Sequence, residues 1–323
     1  MRGAMSSNVI SLILPTRRRP VQLRRLLASL ADTVARREAM EVILVIDSDD
    51  ADSLQVTEDR LASKHVVVPP GQTMGALNMA GYEASRGRYL MLLNDDVIAR
   101  TPGWDNAVRS CFAAYPDEIV LVHVNDLVMQ KHLCTFPIVS RTFCEIVGGI
   151  CPREYVRYRI DDHIEDYFNL LNVLGERRIV FTPNVVFEHM NYRENPTGLR
   201  QYFSDSAILA VDAPRFDAMF EDRKEFTLHL KARINGRADI SKKWRRRLEH
   251  IFDPFALRTP DRQRILTDKG IVDPWDLRPS LWQRTRRCFD EHGWRGVAKA
   301  LVRRLTTRHQ TTTHQVTSFS ALR

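Results

Sequence analysis

The chain has 323 residues, 44% of them hydrophobic and 27% charged, enough for a substantial buried core in an ordinary globular protein. No stretch approaches the ~20 consecutive apolar residues of a membrane span, and Met1 to Asn8 is short and polar, so neither a secreted precursor nor an integral membrane protein is expected. The net charge of +8 is uneven, because residues 281–323 hold nine Lys/Arg against only Asp290 and Glu291; a basic tail on a nearly neutral body differs from a nucleic-acid-binding domain with a basic face, and no nucleic-acid partner is expected.

Strand-like and helix-like segments alternate from the start. Val9 to Leu14 is a short apolar run stopped by Pro15-Thr16, and Pro20 opens a helical pattern carrying Leu23, Leu26, Leu27 and Leu30. A second run, Val42 to Ile46, ends at Asp47-Ser48-Asp49-Asp50. A third, His65 to Val68, leads through Pro69-Pro70-Gly71 to a helix over Met74 to Ala84. The fourth is Tyr89 to Leu93. This order, with near-continuous apolar strands, predicts an α/β fold: a mostly parallel sheet with helices on both faces. In such sheets ligands bind beyond the carboxyl ends of the strands, where Thr16, Asp47 and Asp96 all fall.

Further along, strands are expected at Ile119 to Val124 and Leu133 to Ile138, and a helix over Asp161 to Gly175, with the glycine as its stop. Arg178 to Phe181 and Val185 to His189 read as strands on either side of Pro183. Beyond residue 200 the pattern turns to charged helical segments broken by prolines. Cys111, Cys134, Cys144, Cys151 and Cys288 form no Cys-x-x-Cys pair, which argues against a structural zinc site and for buried thiols in a reducing compartment.

The chemistry centres on Asn94-Asp95-Asp96, directly after the fourth strand. A buried strand ending in paired carboxylates offers hard oxygen ligands at the rim of a sheet, where Mg2+ or Mn2+ carrying a diphosphate can sit. The plainer alternative is an Asn/Asp turn that caps the next element. A second acidic cluster, Asp161-Asp162-His163-Ile164-Glu165-Asp166, opens a helix, and there the plain alternative is that acids favour the positive end of the helix.

Taken together, Leu14-Pro15-Thr16, Val45-Ile46-Asp47, Gly75-Ala76-Leu77-Asn78, Leu93-Asn94-Asp95-Asp96, Phe136-Pro137 with Gly148-Gly149, Asp161-Asp162, and Pro183 followed by His189 resemble the family 2 inverting glycosyltransferases of the GT-A fold. The resemblance covers roughly residues 8–192. It implies a Rossmann-like, mostly parallel mixed sheet, a nucleotide-sugar co-substrate, UDP-linked, and a Mn2+ or Mg2+ cofactor. By this resemblance Thr16 and Asp47 hold the nucleotide base and ribose, and Pro15, Arg17, Asp49, Asn78 and Asp95 complete the donor-binding set. Asp96 and His189 would bind the metal. Asp162 is the first candidate for the catalytic base and Asp161 the next, while the spacing to Gly175 leaves Asp166 and Glu165 open. Leu77 stands where the family often carries Arg, and the Arg that usually follows the acidic motif is absent.

The chain then divides into a GT-A nucleotide-sugar-binding and catalytic domain (1–200), a helical C-terminal extension (201–308) and a disordered tail (309–323). Within the extension, Trp294, Val297, Ala298, Leu301, Val302 and Leu305 fall on one helical face among basic residues. Such a helix, within residues 281–308, suits an anionic membrane surface, or packing on the body or on a second subunit. The implied enzyme is cytoplasmic, peripheral on the inner face of the membrane, and acts on a glycan, glycolipid or other hydroxyl acceptor in cell-surface polysaccharide synthesis. Two rival readings are a sugar-phosphate nucleotidyltransferase, which would normally carry a glycine-rich phosphate loop after the first strand, and a non-catalytic scaffold that binds membrane or nucleic acid.

Overall fold

The computed structural model describes residues 9–190 and 206–251. Strands β1 (Ile10–Thr16), β2 (Met40–Asp47), β3 (Ser63–Val68) and β4 (Tyr89–Leu92) lie parallel. With β5 (Val97–Ala99), β6 (Leu121–Asn125), β7 (Pro137–Ser140) and β8 (Ile179–His189) they form one eight-stranded sheet in the order β3-β2-β1-β4-β7-β6-β8-β5. β7 runs antiparallel between β4 and β6, and β5 antiparallel on β8, so the sheet is mixed but mostly parallel.

The central strands are mostly apolar because helices cover both of their faces. Alternate residues serve opposite layers: Leu12, Leu14 and Met91 enter one buried cluster with Leu23, Leu26 and Leu30 of α1 (Pro20–Thr33) and Trp104, Val108 and Phe112 of α4 (Trp104–Ala113). Ile13, Leu90 and Leu92 enter the other, with Met79 of α3 (Met74–Ala84), Phe143 of α5 (Arg141–Val147) and Ile164 and Phe168 of α6 (Ile160–Val173). A short helix α2 (Ala51–Leu54) is capped by Asp50, which accepts from the Ser53 backbone N–H. α3 lies close on the sheet, since a Cβ at Gly81 would stand only 2.5 Å from Cγ2 of Ile13.

Three helices follow: α7 (Ser206–Ala218), α8 (Phe220–Ile234) and α9 (Lys242–Glu249). Phe220, Leu228, Leu248 and Ile251 from this part close a third apolar cluster on Leu170 of α6 and Leu174 just past its end. The expected segments 281–308 and 309–323 lie outside the described residues, as does Cys288. Among the described residues no helix is long and apolar enough to cross a membrane.

Some boundaries differ from the sequence reading. Residues 179–189 form one strand rather than two, because a register shift between Val124 and Asn125 of β6 absorbs the region of Pro183. The expected strand at Leu133 begins only at Pro137, since the preceding residues belong to a loop tied to Asp126. β5, three residues long, carries too short a pattern to be read. Cys134, Cys144 and Cys151 are buried free thiols, whereas Cys111 is only half-buried.

Candidate active site

The parallel strands end level with one another, and their carboxyl ends carry the charged groups. Thr16 closes β1, Asp47 closes β2, and Asp95 and Asp96 follow β4; all four side chains are buried. The Thr16 hydroxyl donates to Asp95 Oδ2 at 2.7 Å. The loop after β1 lays its three arginines on the acids of both neighbouring strands. Arg17 pairs with Asp47 and, at 2.8 Å, with Asp49. The Arg18 backbone N–H donates to Asp50 at 2.5 Å and its side chain reaches Asp49 at 3.2 Å. Arg19 Nη1 lies 2.5 Å from Asp95 Oδ1 and 3.5 Å from Asp96 Oδ2. Pro15, half-buried, stands opposite Val45 of β2.

His189, at the end of β8, arrives at the same place because β8 pairs with β5, which places it opposite Val97. The Met190 N–H donates to the carbonyl of Asp96 at 2.8 Å, and the Phe136 ring meets His189 edge-on at 5.4 Å. His189 Nε2 stands 3.3 Å from Asp96 Oδ1, a buried oxygen that accepts no hydrogen bond of good geometry. A carboxylate oxygen in that condition, beside an imidazole nitrogen and a second carboxylate, fits a divalent cation. Among the described residues no group of three or more His, Cys, Asp or Glu side chains forms a ready-made metal cage.

The two adjacent carboxylates are driven apart in acidity. Burial pushes Asp95 above the usual carboxylate range despite Arg19 and Thr16. For Asp96 burial acts in the same sense, but contact with His189 and the charge of Arg19 outweigh it, and its pKa is lowered.

The acids of α6 take separate places. Asp162 is buried beside Arg159, Nη1 to Oδ2 3.1 Å, while Asp161, half-buried, accepts from the Asp162 N–H at 2.9 Å. The Cys134 thiol meets the carbonyl of Asp161, and residues 134–136 run directly into β7 beside His189, so this helix end borders the same rim. Asp212 of α7 is fully buried and accepts from the N–H groups of Val156, Arg157 and Tyr158 at 2.8–2.9 Å, which positions the loop before α6. Asp166 is completely buried and paired with the equally buried Arg223 of α8 at 2.7 Å. Its carboxylate is enclosed by protein, and its place is in the packing of α8 on α6. Asn78 is buried on α3, and its amide donates to the Met74 carbonyl at 3.0 Å within its own helix.

Three further residues were not assigned to the site from the sequence. Arg18 and Arg19 follow Thr16 directly, and a run of arginines just past a strand end was the available signal. Asp126 follows β6; its carboxylate accepts from the N–H groups of Val128, Met129 and Gln130 and from Thr135 Oγ1, and its carbonyl takes the His189 N–H at 3.2 Å. Only the pair Asn125-Asp126, a common loop former, hints at this. A separate half-open pocket of about 130 Å³ lies between Gly148–Pro152, His163 and Tyr167 of α6, and Asp222 and Phe226 of α8. It is smaller than the roughly 300 Å³ at which small-molecule sites begin.

Residues 11–125 match the family model described as Glycosyl transferase family 2. This segment is similar to family 2 glycosyltransferases. It contains the whole of β1 to β4 and the Asp95-Asp96 pair, apart from Ile10 at the first strand's start. No curated protein matches the sequence. Among solved structures the chain resembles residues 1–349 of S. aureus TarS at 13% identity, covering 90% of this chain and 80% of that one with a TM-score of 0.52, a likeness of fold. It spans 50% of a longer S. aureus TarS chain. A weaker match, with a TM-score of 0.46 at 15% identity, covers 92% of this chain and 86% of the mannosyltransferase PcManGT from Pyrobaculum calidifontis, solved in complex with GDP-Man and Mn2+. The fold is that of GT-A proteins, with the acidic strand ends gathered at one rim.

Proposed function

We propose that the protein is a metal-dependent, inverting glycosyltransferase that moves a sugar from a nucleotide-diphosphate sugar, UDP-linked, to an acceptor hydroxyl. The observation that carries this reading is the meeting of Thr16, Asp47, Asp95, Asp96 and His189 at one sheet rim, the first four within the segment that matches the family 2 model. In this reading Thr16, Asp47 and Asp49 would meet the nucleoside, with Pro15 and Arg17 beside them. Asp96, His189 and Asp95 would hold Mn2+ or Mg2+, which supplies Lewis-acid stabilisation of the charge growing on the diphosphate. Asp162 takes the proton of the acceptor hydroxyl as its oxygen attacks the anomeric carbon; Asp161 is the alternative base. The bond from that carbon to the diphosphate oxygen breaks on the opposite face, and the nucleoside diphosphate departs with the electron pair. One displacement inverts the centre.

The acceptor in this reading is a glycan or glycolipid of the cell surface, handled by an enzyme held at the inner face of the membrane. Exposed Lys242, Lys243, Arg246 and Arg247 on α9 support that placement, since a basic helix face is attracted to anionic lipid.

Thermal shift with UDP, GDP, dTDP and CDP, each with and without Mn2+, tests the proposal. A shift with UDP that needs both Mn2+ and Asp96 is expected, and an unchanged shift in Asp96→Ala would remove the metal role. Release of intact nucleoside diphosphate during turnover is expected; release of pyrophosphate would mark a nucleotidyltransferase instead.

A further inference from the structure

Asp95 and Asp96 are both buried, their side chains 5% and 8% exposed, and adjacent in the chain. Two carboxylates so placed repel one another and need a cation nearby if both are to be ionised. The cation on Asp95 is Arg19, whose Nη1 lies 2.5 Å from Asp95 Oδ1 and 3.5 Å from Asp96 Oδ2. The arginine side chain is itself 42% exposed, so it approaches the pair from the solvent side, from which a donor must also enter. A divalent ion held at Asp96 Oδ1 and His189 would stand within the same small acidic site as the Arg19 guanidinium, and the two cations would repel each other while drawing on the same pair of carboxylates. The guanidinium has a natural second partner, because its planar donor fork matches phosphate oxygens.

We propose that Arg19 is the resident counter-ion of the donor site, competing with the divalent ion for Asp95 and Asp96 and passing to the donor's diphosphate when metal and nucleotide arrive together. This inference rests on the donor-site reading above. It makes metal binding weak in the free protein and couples it positively to nucleotide, since the diphosphate gives the displaced arginine a new partner.

The test is Mn2+ binding to the full chain, followed by electron paramagnetic resonance of the free ion, and UDP binding at saturating Mn2+, for wild type, Arg19→Gln, Arg19→Lys and Asp96→Asn. Arg19→Gln is expected to bind Mn2+ alone about tenfold more tightly and UDP about tenfold more weakly, a coupling of ordinary size. Arg19→Lys, which keeps the charge without the fork, falls between and guards against misfolding of the glutamine variant. A Mn2+ affinity that does not rise in Arg19→Gln, or a UDP affinity that does not fall, overturns the proposal while loss of Mn2+ binding in Asp96→Asn leaves the donor site standing. Unaltered Mn2+ binding in Asp96→Asn removes the metal from this pair and overturns both.

Discussion

The Thr16 hydroxyl donates to Oδ2 of Asp95 at 2.7 Å, joining the end of β1 to the acidic loop after β4 across 79 positions of chain. The contact exists because β1 and β4 are parallel neighbours, so their carboxyl ends finish side by side. It also opposes the burial that makes Asp95 hard to ionise. Thr16→Val keeps the shape and removes the donor. It is expected to lower the unfolding free energy by about 1–2 kcal/mol and to weaken nucleotide binding, measured by urea denaturation and nucleotide titration. Unchanged values in both would mean that the bond does not hold the acidic loop.

Asp162 and Asp161 are adjacent, yet Asp162 is buried on Arg159 while Asp161 is half-exposed at the helix start. Asp162→Asn should leave Mn2+-dependent nucleotide binding intact and reduce transfer by about 10²–10⁴, the usual worth of a general base. Asp161→Asn should cost less. Full transfer by Asp162→Asn, followed as release of nucleoside diphosphate, would assign the base to Asp161.

Arg223 and Asp166 form an ion pair with both side chains at 0% exposure, and the guanidinium also stacks 3.9 Å from the centre of the Phe216 ring. Removing one partner leaves a buried charge uncompensated. Asp166→Asn and Arg223→Met are each expected to lower stability by about 3–5 kcal/mol, and the pair Asp166→Leu with Arg223→Met to recover much of that loss. The measurement is a double-mutant cycle in urea. A stable Asp166→Asn protein that binds donor but fails in transfer would instead return Asp166 to catalysis.

His123 on β6 is 2% exposed and lies 5.0 Å from the Phe181 ring, centre to centre. Burial lowers its pKa from 6.5 to about 4, with Asp126 opposing. Because the folded value is the lower one, the unfolded chain binds the extra proton between these limits. This contribution to stability is therefore complete above pH 6.5 and drains away as the pH falls toward about 4. The loss amounts to about 3 kcal/mol at most, at about 1.4 kcal/mol per unit. Urea midpoints between pH 4.5 and 7.5 should decline steeply for wild type and less for His123→Phe; parallel curves would exclude His123 as the cause.

Strands buried on both faces must be apolar along their length, so Val42 to Ile46 and Tyr89 to Leu93 were readable directly from the sequence. The polar residues at the strand ends, Thr16 closing β1, Asp47 closing β2, and Asp95 and Asp96 after β4, were equally plain, because each halts an apolar run. Helix α6 was predicted within a few residues, since its apolar positions recur at helical spacing and Gly175, at φ +91°, adopts the left-handed conformation expected just past its end. The sequence by itself thus determined the layered fold and the acids at its rim. It did not determine their partners. That Arg19 reaches Asp95 from 76 positions away, that Asp166 belongs to Arg223 across 57, and that Asp126 receives His189 all follow from strand order and helix docking. An ion pair depends on which ends of the chain the folded sheet brings side by side, and no local pattern of residues carries that information.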